Sequence, residues 1–159
     1  DELGEAAERH ALRCDDRLAE AARVWQQQDR ECDLELAAVL TVRIPTGILS
    51  NGDPQMLVVA VKSAGLDGLL DPLISVHATR RYKTDPATYA LGPAALKLPA
   101  RDILFVSSNG WDAIGATWFG YTTLWVNRAA APLEQLDTEP TRTGSSLRAV
   151  LDFFPTPSN

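Results

Sequence analysis

Cysteine and histidine are scarce in this chain. There are two cysteines, Cys14 and Cys32, far apart and with no CxxC pair, which argues against a structural zinc site or a dithiol redox motif. There are two histidines, and His77 reads as a loop residue rather than a base. Basic charge is in deficit: the net charge is -6 and no Lys/Arg-rich run occurs. Nucleic-acid binding is therefore not expected, because a phosphate backbone calls for a basic footprint. No apolar stretch approaches the ~20 residues that a membrane span requires. The amino end is acidic, so no secretory leader is expected there. G-x-S-x-G is absent, against a serine-hydrolase elbow. G-x-G-x-x-G is absent too, against a dinucleotide site. The expectation is a reduced, cytoplasmic protein, and for 159 residues one folded domain is the default.

The first 40 residues have no glycine after Gly4 and no proline. They are rich in Ala, Glu, Arg, Leu and Gln, which favour helix. Leu18, Ala21, Ala22 and Trp25, then Leu34, Leu36 and Ala37, form apolar stripes at helical spacing. Residues 1–45 are expected to be helical, as one long helix or two with a break.

From Thr41 the pattern changes to strands alternating with helices. Thr46–Ser50 reads as a short buried strand. Asp53 caps a helix with Pro54 at its first position, and Gly65 ends it. Pro72–Val76 reads as the next strand. Asp85 and Pro86 repeat the cap-plus-proline start, and Gly92-Pro93 is expected to interrupt that helix. "DILFVSS" is a third strand, Trp111–Phe119 a helix stopped by Gly120, and Thr122–Asn127 a fourth strand. Pro132–Thr143 reads as an irregular polar loop, and "SSLRAVLDFF" as a C-terminal helix. Near-continuously apolar strands alternating with helices predict an α/β, Rossmann-like, three-layer core over residues 46–159, with a parallel sheet covered on both faces.

In such a fold the polar groups just past the strands converge on one crevice. After the first strand come Ser50 and Asn51. After the second come Arg80, Arg81, Tyr82, Lys83 and Asp85. After the third come Ser107, Ser108, Asn109 and Asp112. Taken singly, each has a plain reading: a turn serine, a surface lysine, a carboxylate at a helix N-terminus, a core tryptophan at 111. Taken together, convergent donors and a lysine suit a small anionic substrate.

Three segments, "GILSNGDPQML", "YKTDPATY" and "ILFVSSNGWDAIGATWFGYTTLWVNR", resemble the later motifs of the hydrolytic 2-haloacid dehalogenases of the haloacid dehalogenase superfamily. The resemblance covers roughly Gly47–Phe154, and the "SSN-x-WD" loop is its most specific part. It implies covalent catalysis by an aspartate. Lys83 would anchor that nucleophile. Ser50 would position the substrate carboxylate and Asn51 would donate to the departing halide. Ser107, Asn109 and Asp112 would orient the nucleophile, Lys83 and the hydrolytic water. Tyr89 matches a family tyrosine, and Trp111 would line the apolar side of the pocket. Related phosphatases carry acidic residues at two positions of this loop to hold magnesium. Here those positions are Ser108 and Asp112, and one carboxylate is too few for a hard cation. The expectation is a metal-independent, cofactor-free enzyme acting on short 2-haloalkanoates, and the resemblance allows a homodimer.

Three departures accompany the resemblance. The nucleophile motif, an apolar strand followed by D-x-x-G-T, is matched only by Asp1 and Gly4, with Glu5 where threonine belongs. Gln26 follows Trp25 where the family has a halide-binding arginine, and it can donate without charge. The helical cap is nearly absent, because only Leu40–Gly47 separates that helix from the strand ending in "LSNG". A smaller point, beside these three, is Thr84 where the family usually has proline. The two readings are an abbreviated or incompletely represented dehalogenase and a catalytically degenerate homologue serving as a binding or interaction protein.

Overall fold

Asp53 and Asp85 set the two most legible starts in the chain. Each accepts a hydrogen bond on its side chain from the N–H two residues later, Gln55 and Ala87, and each precedes a proline. Both capping and the fixed proline φ favour helix initiation there. The computed structural model describes Glu35 and residues 44–154. The chain divides into two units, Asp1–Ala37 and Ala38–Asn159, and the description that follows concerns the second. Apart from Glu35, which is helical, the expected amino-terminal helices lie outside the described residues.

Strand β1 (Ile48–Ser50) leads to helix α1 (Pro54–Ser63), with Gly65 just beyond it at positive φ. Strand β2 (Leu73–Ser75) follows, then a 3-10 turn over Val76–Thr79. Helices α2 (Pro86–Tyr89) and α3 (Leu91–Leu96) come next, then strand β3 (Leu104–Ser107). Helix α4 (Gly110–Phe119) ends on Gly120 in the left-handed region. Strands β4 (Thr122–Val126) and β5 (Arg142–Gly144) and a 3-10 helix over Leu147–Phe153 complete the unit.

Every strand pairing is parallel, as the alternation of strand and helix predicts. Among the described residues the strands fall into two sheets, β1-β2 and β3-β4-β5, rather than one. The larger sheet is covered on both faces. Tyr89, Phe105, Ala116 and Tyr121 pack on one side, and Leu124, Val126 and Val150 on the other. Period-two alternation along β3 and β4 supplies this: Phe105 faces the first cluster, and Leu104 and Val106 face the second. Each fully buried aliphatic side chain, such as Ile114 or Leu124, contributes roughly 1.5–3 kcal/mol relative to exposure.

Three expectations need correction. The break in the Pro86 helix falls at Ala90, and α3 runs through Gly92 and Pro93. Proline is tolerated there because the first-turn N–H groups of a helix have no intrahelical partner. The loop expected over Pro132–Thr143 ends in a strand, β5, placed by pairing with β4 through Leu124↔Arg142. The carboxyl-terminal helix is a 3-10 helix opened by Ser146, whose side chain accepts from Arg148 N–H. No described helix is long and apolar enough to cross a membrane.

Candidate active site

β1 and β3 end in polar loops, and one lysine joins them. Lys83 Nζ donates to the Leu49 carbonyl of β1 at 2.8 Å and to Asp112 Oδ2 at 3.1 Å. It also sits 4.8 Å over the Phe105 ring of β3. The Lys83 and Asp112 side chains are each 7% exposed. The lysine is thus a held, nearly dry ammonium rather than a surface charge. Burial pushes its pKa below the ordinary value, and the charge and hydrogen bond of Asp112 oppose that shift.

Asp112 projects from the first turn of α4. Its Oδ1 accepts from Tyr89 Oη at 2.8 Å, and its Oδ2 accepts from Ser107 Oγ at 3.1 Å besides Lys83. Both carboxylate oxygens are therefore committed to protein donors. Tyr89 is fully buried. Burial first, and then the charge and hydrogen bond of Asp112, push its phenol pKa up, so it remains a donor. The close approach of Tyr89 to α4 depends on Gly115, where a Cβ would lie 2.6 Å from Tyr89 Oη and 2.9 Å from Thr84 Cγ2.

Asn51 is oriented from its oxygen end: Lys83 N–H donates to Asn51 Oδ1 at 2.9 Å. That bond directs the amide nitrogen away from Lys83 N–H and makes it available to an incoming acceptor. Ser50 Oγ accepts from Gly52 N–H at 3.0 Å, which leaves its own proton to give. Ser107 Oγ accepts from Asn109 N–H at 3.1 Å, tightening the loop that precedes α4. Asn109 occupies the cap position of α4 without capping it through its side chain. Trp111 is 39% exposed, so it stands at the rim rather than in the core. A cavity of about 310 Å³ opens beside it, lined by Ser108, Asn109, Trp111, Trp125, Asn127 and Glu134 among others.

Of the residues expected from the sequence, Lys83, Ser107, Asp112, Tyr89 and Asn51 meet in one bonded cluster. Ser50 and Asn109 sit at its edge and Trp111 at the cavity. Asp1 and Gln26 lie outside the described residues. Sequence reasoning missed the Leu49 carbonyl, which carries no side-chain signal. It also missed Gly115 and Trp125, whose Nε1 donates to the Ser108 carbonyl at 3.2 Å. The "WV" of β4 marks Trp125 only as an apolar strand residue. Among the described residues no three His, Cys, Asp or Glu side chains gather as a metal site would require.

A parallel α/β core with a bonded Lys–Asp–Tyr–Ser cluster near the carboxyl ends of its strands places the candidate site where open α/β sheets bind their ligands. A family model, haloacid dehalogenase-like hydrolase, matches residues 3–120, and the chain belongs to that family. It is 46% identical over 109 residues to an (S)-2-haloacid dehalogenase of Pseudomonas sp. (strain YL), a match covering 69% of this chain and 47% of that protein. It is 39% identical over 107 residues to haloacetate dehalogenase H-2 of Moraxella sp. (strain B), covering 67% and 48%. Among solved structures, the L-2-haloacid dehalogenase RSc1362 superposes with a TM-score of 0.72 at 55% identity, over 77% of this chain and 54% of that one. The enzyme of Xanthobacter autotrophicus superposes at 0.70 and 31% identity, over 77% and 60%. The chain thus spans about half the length of the relatives it matches.

Proposed function

We propose that this chain carries the anion-binding and nucleophile-orienting machinery of a 2-haloacid dehalogenase that hydrolyses short 2-haloalkanoates. The observation that carries the reading is Lys83 Nζ, held between Leu49 O and Asp112 Oδ2 where β1 and β3 end. An ammonium fixed by two acceptors keeps a donor direction for a third, and a carboxylate suits that place. Names of similar proteins support the substrate class: (S)-2-haloacid dehalogenases of Pseudomonas, and a structure from Xanthobacter autotrophicus with chloropropionic acid covalently bound.

In the proposed reaction an aspartate carboxylate oxygen attacks C2 of the substrate opposite the halogen. The C–X bond breaks and halide departs with the electron pair, leaving an ester. Water then adds at the ester carbonyl. The 2-hydroxy acid leaves, the carboxylate is restored and one proton is released. Asp1 is the residue this sequence offers as nucleophile and Gln26 the one offered to the halide, in the segment 1–45. Within the core 46–159, Lys83 would anchor the nucleophile, and Asn51 Nδ2 would donate to the halide. Ser50 would bind the substrate carboxylate, with Trp111 as the apolar wall. Ser107, Asn109 and Asp112, braced by Tyr89, would hold Lys83 and the water. Aligned donors of this kind each lower a barrier by about 3 kcal/mol. No step is assigned to a metal or cofactor. We further propose a cytoplasmic homodimer as the working form, for which the exposed Met56, Val58 and Val59 of α1 offer an apolar surface.

The test is the stereochemistry of the product. Backside attack converts one enantiomer of 2-chloropropionate into 2-hydroxypropionate of opposite configuration. Retention would contradict the mechanism, and a folded chain that binds haloalkanoate without releasing halide would favour the binding-protein alternative.

A further inference from the structure

Tyr121 lies one residue before β4, away from the loops that form the site, and no part of the proposed reaction uses it. Its ring is buried, and its Oη donates to the backbone carbonyl of Tyr89 at 2.6 Å. That carbonyl needs a partner. It stands at the end of α2, and the residue four positions on, which would donate to it in a continuous helix, is Pro93. Proline has no N–H to give. Space is needed as well as a donor, and Gly92 provides it: a Cβ on Gly92 would collide with Tyr121 Oη. Gly92, Pro93 and Tyr121 therefore form one fitted contact, in which the glycine opens a notch, the proline frees an acceptor and the phenol fills both.

The consequence falls on the site. Tyr89 is clamped at two ends, its main chain by Tyr121 and its Oη by Asp112 Oδ1. Between those ends its ring packs on Phe105 and Phe119, with centroids 5.7 and 6.0 Å away. With Oδ1 taken by Tyr89, Oδ2 is the oxygen that meets Lys83 and Ser107. We propose that Tyr121 is a positioning residue: through the Tyr89 main chain it sets where Tyr89 Oη meets Asp112, and so how the Asp112 carboxylate is oriented toward Lys83. The inference rests on reading the Lys83–Asp112 cluster as the active site.

The experiment reads the Tyr89 hydroxyl proton by NMR in the full chain, assigned by its loss in Tyr89→Phe. In Tyr121→Phe, which keeps the ring and removes only the hydroxyl, that proton should shift and exchange with water at least roughly tenfold faster, because the clamp that limits local opening is gone. Gly92→Ala keeps the Tyr121 side chain and breaks the same contact from the other side, and should give the same change. Halide release should fall by roughly ten- to a hundredfold in kcat with little change in KM, the pattern of a misplaced catalytic group. A loss of melting temperature alone, with the Tyr89 proton unchanged in either folded variant, overturns the proposal. Absence of halide release from the wild-type chain would count against the dehalogenase reading, and the exchange measurement would still decide the role of Tyr121.

Discussion

Lys83 and Asp112 meet at 3.1 Å with 7% of each side chain exposed, and they come from the loop after β2 and the first turn of α4. A pair this dry is held by its surroundings: Leu49 O and the Phe105 face on the lysine, Tyr89 Oη and Ser107 Oγ on the carboxylate. Taking either partner away strands the other. Lys83→Met is expected to lower folding stability by about 3–5 kcal/mol. Combined with Asp112→Asn, the loss should be smaller than the sum of the two single losses, with a coupling of about 1–3 kcal/mol. Urea unfolding of the four proteins measures it, and a coupling near zero would mean that the ion pair does not hold the site.

The lysine also fixes a pH dependence. Burial depresses its folded pKa below the ordinary 10.5. Between the folded value and 10.5 the unfolded chain therefore binds more protons than the folded one, so the Lys83 contribution to stability rises with pH across that window. Anion binding runs the opposite way, because the ammonium is lost before that of a solvent lysine. Halide release should thus decline on the alkaline side below 10.5, while the stability difference between wild type and Lys83→Met widens over the same window. A stability contribution that falls with rising pH would contradict the depressed value.

Gly115 is required by its neighbours rather than by its backbone. A methyl there meets Tyr89 Oη and Thr84, so Gly115→Ala should cost about 1–3 kcal/mol of stability by overpacking. Tyr89→Phe removes the atom in the way. Thermal unfolding of the double variant should therefore show a smaller loss than the two single losses combined, and strict additivity would place the clash elsewhere.

Added magnesium is expected to leave halide release unchanged. Ser108 stands where related phosphatases hold a carboxylate, and the oxygens of Asp112 already receive Tyr89, Ser107 and Lys83. Strong stimulation by magnesium, measured against a chelated control, would point to phosphoryl chemistry instead.

Local chemistry was legible in the sequence. Asp53-Pro54 and Asp85-Pro86 mark helix starts because cap and proline act on adjacent residues. Lys83, Ser107 and Asp112 were singled out because they follow strand ends and carry the family resemblance, and the fold brings the three together. β5 was not, because Arg142 and Thr143 are exposed and polar, and only pairing with β4 makes them a strand. The division into two sheets depends on pairing between distant segments, which no local pattern reports. Gly92-Pro93 read as a helix stop and Tyr121 was given no role, since their meaning arises from a contact 32 residues apart in the chain.

The measurement that tests the central claim most directly is halide release from the two enantiomers of 2-chloropropionate by this chain, with Asp1→Asn and Lys83→Ala beside it. The account predicts release from one enantiomer and its loss in both variants. Release that survives Lys83→Ala would contradict the role given to the buried lysine, and no release from a folded wild-type chain would reduce the cluster to a scaffold that binds anions without turning them over.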